Sequence, residues 1–112
     1  MLRTVAFIIP VIFLSLSACL PRDPSVGVGP IELNQRVQRG FENYQKERSP
    51  GHFAVAVDGN YYAYNYCSAG RCIAGSKPSA IHRCEERSNG VPCKIYGAKG
   101  EVVWDKTAQA AN

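Results

Sequence analysis

The sequence predicts a small single α+β domain, in the order helix, β-hairpin, short helix, β-hairpin, with one antiparallel sheet and helices packed on it. Three observations carry that reading. Leu33, Val37, Phe41 and Tyr44 recur at spacings of four, four and three, which line one face of a helix. The runs HFAVAV (52–57) and YYAYNY (61–66) alternate at period two on either side of Asp58-Gly59-Asn60, the pattern of a hairpin. Cys67, Cys72, Cys84 and Cys93 frame the second half of a 112-residue chain. At that size apolar burial and chain entropy nearly cancel, so covalent staples decide folding.

The N-terminus serves another purpose. Arg3 precedes an apolar run from Val5 to Leu16, which leads through Ser17 and Ala18 into Cys19. The run is too short to span a bilayer core of about 30 Å, which takes roughly 20 residues, and its basic start and small-residue end predict a signal peptide over 1–18. Leu16-Ser17-Ala18-Cys19 resembles the lipobox of bacterial lipoproteins at all four positions. That resemblance implies a covalent lipid on Cys19, with palmitate among its acyl chains, anchoring the mature protein in a membrane. Leu20 stands where that family places an aspartate for inner-membrane retention. The resemblance therefore implies the outer membrane of the cell envelope, facing the periplasm. With Cys19 committed to lipid, an even number of cysteines is left to pair.

Residues 20–30, LPRDPSVGVGP, hold three prolines and two glycines and read with Cys19 as a lipidated flexible tether over 19–30. The domain is expected over 31–105. Its first helix runs from Ile31 to Arg48, with Glu32–Arg36 and Glu42–Lys46 as ion pairs four apart and Pro50-Gly51 as the stop. In the first strand, Phe53, Val55 and Val57 share one face and Ala54 and Ala56 the other, as in a strand covered on both sides. In the second, Tyr62, Tyr64 and Tyr66 oppose Tyr61, Ala63 and Asn65. A second helix is expected over about Lys77 to Ser88, with Ser76 as N-cap, Ala80, Ile81 and Cys84 inward, and Asn89-Gly90 as a left-handed stop. PCKIYG and EVVW then form two strands about an Ala98-Lys99-Gly100 turn, and 106–112 reads as a disordered tail.

Four cysteines allow three pairings. Local closure favours Cys84 with Cys93, from a helix end to the next strand, and Cys67 with Cys72 across a small flexible loop. The spacings C-x4-C and C-x8-C match zinc knuckles poorly, so neither a metal nor any cofactor beyond the lipid is expected, and the C-x-x-C of thiol exchangers is missing. His52 and His82 have plain surface or core readings, and Asp58, Glu85, Glu86 and Glu101 suggest no acid–base pair. No catalytic residue is assigned.

The segments HFAVAVDGNYYAYNYC, AIHRCEERSNGVPCKIYG and EVVW together resemble a small envelope domain of proteobacterial secreted proteins and lipoproteins, over about Gly40 to Trp104. The matching positions include Phe53, Asp58, Gly59, Cys84, Glu85, Cys93, Tyr96 and Trp104. Cys67 and Cys72 are less regular in that pattern. The resemblance implies no catalytic residues and no activity.

The formal charge of +4 is spread along the chain and reads as solvated surface. The expectation is a lipid-anchored binding, structural or accessory module whose partner is an envelope protein or the cell-wall polymer. Its candidate surfaces are the tyrosine strand (Tyr61, Tyr62, Tyr64 and Tyr66) and the basic first helix. Aromatic faces stack on sugar rings, although tyrosine also suits a half-exposed sheet face for structural reasons. Nucleic acid does not fit an exported protein. The alternative, a small envelope enzyme or enzyme inhibitor, predicts a pocket holding His52 or His82 beside an acid.

Overall fold

The computed structural model describes residues 23–67, 72 and 75–108. The expected signal peptide and the lipid site at Cys19 lie outside these residues. Helix α1 (Gln35–Gln45), strands β1 (Pro50–Ala56) and β2 (Tyr62–Tyr66), helix α2 (Ser76–Arg87), and strands β3 (Cys93–Ala98) and β4 (Glu101–Val102) follow in that order. The strands form one antiparallel sheet in the order β2-β1-β3-β4. This is the α+β architecture that the sequence predicts.

The alternation in β1 separates two cores. Phe53 and Val55 join Val37, Tyr44, Tyr96 and Trp104 beneath α1, whereas Ala54 and Ala56 join Ala63, Ala80, Cys84, Cys93 and Ile95 beneath α2. All four of these β1 residues are 0% exposed, because the helices cover opposite faces of the sheet. The α1 face is aromatic: Phe41 meets Phe53 edge-on at 5.1 Å, and Phe53 stacks on Tyr62 at 5.2 Å. Gly40 lets α1 come this close, since a Cβ there would sit 2.3 Å from the Tyr62 ring. On the other face alanines let α2 settle against the sheet, and disulfides join Cys84 to Cys93 and Cys67 to Cys72, with Cα separations of 6.1 and 4.5 Å.

Element ends differ from expectation for local reasons. Helix α1 starts at Gln35 because the Asn34 side chain caps it, accepting from Val37 N at 2.9 Å. Glu32 thus precedes the helix and does not pair with Arg36, nor does Glu42 pair with Lys46. Pro50-Gly51 opens β1 instead of closing the helix, proline being acceptable as a first strand residue. Ser76 is the first residue of α2 and not its N-cap, because its hydroxyl is engaged by Asn65 and His52. Asn89 (φ 57°) and Gly90 (φ 93°) do make the left-handed stop.

The largest correction concerns residues 23–30. Expected as tether, they dock along the free part of β3. Ile95 N donates to Ser25 O at 2.8 Å, Gly27 N to Ile95 O at 3.1 Å, and Gly29 N to Asp105 O at 2.8 Å. Lys94 Nζ donates to Pro24 O at 2.9 Å, and Lys77 pairs with Asp23. This arm occupies the edge that EVVW was expected to extend, so β4 stops at Val102 and Trp104 turns inward beneath the arm. The ordered domain also continues past 105. Asp105 Oδ1 accepts from Thr107 N and Ala108 N at 3.0 and 3.1 Å, and Lys106 lies 5.5 Å from the Tyr96 ring centroid.

Candidate functional site

β2 is an edge strand, so the carbonyls on its outer side have no strand partner. Arginines from the two helices reach the start of that edge and the turn before it. Arg36, in the first turn of α1, donates through Nη2 to Asn60 O at 3.2 Å. Arg87, the last residue of α2, donates through Nη1 to Tyr62 O at 3.2 Å. The Arg36 guanidinium also lies 5.8 Å from the centroid of Tyr61. Between them a cavity of about 320 Å³ is lined by Arg36, Tyr61, Tyr62 and Arg87.

The charged side chains that line this cavity are both cationic. Among the described residues no carboxylate lies within 4.0 Å of either guanidinium. Asp58, in the adjoining turn, instead accepts from Asn60 N at 3.0 Å. Each guanidinium carries five N–H donors in a planar fork, and each has one backbone acceptor here. Each group is thus tethered through one N–H and has further donors to offer.

The four tyrosines do not form one face. Tyr61 and Tyr62 line the cavity although consecutive strand residues point to opposite sides, because the cavity wraps around the strand edge. Tyr64 packs under α1 with Phe53 and Tyr44, where burial pushes its hydroxyl pKa up, with Glu47 and Tyr62 adding to the shift. Tyr66 is 67% exposed at the far end of β2. Of the basic first helix, only Arg36 reaches the cavity. Arg87 was not singled out in the sequence; its one signal was a basic residue in a helix's last turn.

A second cavity, about 460 Å³, lies between the arm and the sheet, lined mainly by Pro24, Val26, Val28, Val57 and Trp104. Neither histidine lines either cavity. His82 Nε2 pairs with Glu86 at 2.9 Å on the exposed face of α2. His52 N donates to Asn65 Oδ1 at 3.0 Å, and Ser76 Oγ donates to the same oxygen at 2.8 Å. With its proton so committed, Ser76 accepts from His52 Nδ1 at 2.8 Å. The arrangement is a structural clasp between β1, β2 and α2. No group of three or more His, Cys, Asp or Glu placed to hold a metal occurs among the described residues.

Burial holds the His52 pKa below its ordinary 6.5, the Lys77 charge adds to the effect and Asp23 opposes it. The folded state thus favours the neutral ring, and as pH falls through 6.5 the unfolded chain takes up its proton first. Stability contributed by His52 is complete above that pH and is lost below it. Urea unfolding at pH 7.5 and 5.0 should show the wild type losing stability on acidification and His52→Asn losing less. Equal losses would remove His52 as the cause. Asp23, held well below the usual carboxylate range by Lys77 and Ser25, titrates in a lower window.

Comparison with family models, curated proteins and solved structures finds no match to this chain.

Proposed function

We propose that the chain is a lipid-anchored binding module of the bacterial envelope, held through Cys19 on the periplasmic face of the outer membrane and meeting its partner at the β2 edge. The observation that carries the binding half is a pair of guanidiniums that, among the described residues, have no carboxylate within 4.0 Å and that share one cavity with two half-buried tyrosines. A backbone hydrogen bond on each arginine biases it toward the cavity, which lowers the ordering cost when it engages a ligand. The anchoring half rests on the basic, apolar and small-residue order of the N-terminus and on the lipobox resemblance ending in Cys19. The partner classes that suit an envelope location are another envelope protein and the cell-wall polymer.

Photocrosslinking in intact cells from a reactive residue at position 61, followed by identification of what is bound, tests the binding half. Recovery of a discrete protein or glycan is expected; recovery of lipid alone would defeat the proposal. Labelled palmitate should enter the wild type and not Cys19→Ala, and continued labelling of that variant would remove the anchor.

A further inference from the structure

The charge and shape of the cavity at the β2 edge narrow its ligand further, an inference that rests on the binding reading above. We infer that the cavity takes an oxyanion, a carboxylate or a phosphate, carried on a sugar-sized ring. Arg36 approaches from α1 and Arg87 from α2, on opposite faces of the sheet, so two cationic forks converge on one strand edge. Planar guanidiniums with free donors match the oxygen pairs of carboxylates and phosphates better than any neutral group. That no carboxylate of the described residues lies within 4.0 Å of either guanidinium matters most. Surface arginines commonly find acidic neighbours, and here the nearby acid, Asp58, is turned to a backbone amide.

The ring follows from size and lining. A volume of about 320 Å³ suits one ring with its substituents and is too small for a folded protein element. The Tyr61 ring supplies an aromatic wall, against which the C–H face of a sugar packs, whereas the Tyr62 ring is already stacked on Phe53 and covered by α1 at Gly40. A bare ion would leave that wall without a contact. An acidic sugar unit of an envelope polymer satisfies both halves of the cavity; an acidic peptide would use only the arginines.

Amide NMR titrations of the full chain in detergent test this with four probes, glucuronate, glucose 6-phosphate, glucose and glutamate. Saturable shifts at Arg36, Tyr61, Tyr62 and Arg87 are expected with the two anionic sugars and not with glucose, and the tighter anion identifies the oxyanion. Glutamine removes the charge and gives up only one solvent-exposed hydrogen bond to a backbone carbonyl, so Arg36→Gln and Arg87→Gln should fold with melting temperatures close to that of the wild type. Each should weaken anionic-sugar binding about tenfold or more, the scale of one lost charged hydrogen bond. Glucose binding as tightly as glucuronate, or unchanged affinity in both glutamine variants at wild-type melting temperature, would overturn the ligand class. So would glutamate binding as tightly as glucuronate, since that would place an acidic peptide in the site. If crosslinking from position 61 still captures a partner in any of these cases, the binding reading survives without its ligand class; if it captures none, both fall.

Discussion

Trp104→Ala is expected to lower the unfolding free energy by about 3–5 kcal/mol, the usual cost of removing a large buried aromatic side chain. The indole is 7% exposed and donates through Nε1 to Gly29 O at 2.8 Å. It packs against the Tyr96 ring at a centroid distance of 6.1 Å and leaves no room for a Cβ at Gly27, where one would fall 2.0 Å from the ring. Arm, β3 and the segment after β4 therefore meet on this one side chain. Its loss should do two things at once. The denaturation midpoint should fall, and the amides of Gly27 and Gly29, which bond Ile95 O and Asp105 O, should exchange faster than those of β1. A loss below about 1 kcal/mol with the arm amides still protected would show that the arm is held by its backbone pairing alone.

Replacing both Cys84 and Cys93 with alanine should cost roughly 2.5–3 kcal/mol in the chain-entropy account of a loop this short. In a domain of this size that corresponds to a melting temperature lower by roughly 10–20 °C. Three features make this bridge matter. Cys84 and Cys93 are 0% and 3% exposed, they tie α2 directly to β3, and the core around them is built largely of alanines, which bury little apolar area each. The Cys67–Cys72 bridge closes a shorter segment and should contribute less. Calorimetry of the double variant in the absence and presence of reductant separates the two bridges. Reductant should lower the wild-type midpoint by more than it lowers that of the variant; an equal shift in both would assign the stabilisation to Cys67–Cys72.

Much of this fold is legible locally. The spacing of Leu33, Val37, Phe41 and Tyr44 identifies α1, and the Phe-Ala-Val-Ala alternation identifies a strand covered on both faces, because each signal depends only on neighbours in sequence. The arm was hidden for the opposite reason. Its prolines and glycines suit a tether, and its docking depends on Ile95, Trp104 and Asp105, far along the chain. The one local trace was the Val-Gly-Val-Gly alternation of residues 26–29, which is strand-like at period two and leaves space for the indole. The tyrosine run was visible as a candidate surface, but Gly40 draws α1 over Tyr62 and Tyr64, and that depends on helix placement. The cavity combines Arg36, Tyr61, Tyr62 and Arg87 from three separate stretches, and no spacing rule links Arg87 to the tyrosines.

The binding proposal places recognition at the arginine-flanked edge of β2 and not on exposed tyrosine in general. Tyr61 and Tyr66 lie near opposite ends of the same strand, and Tyr66 is 67% exposed. Crosslinking yield in intact cells can be compared between reactive residues placed at positions 61 and 66, each with Arg36 and Arg87 intact or both replaced by glutamine. Capture is expected from 61 and not from 66, and is expected to be lost with the two glutamines. Equal capture from 66, or capture from 61 that is indifferent to the glutamines, would contradict the proposal.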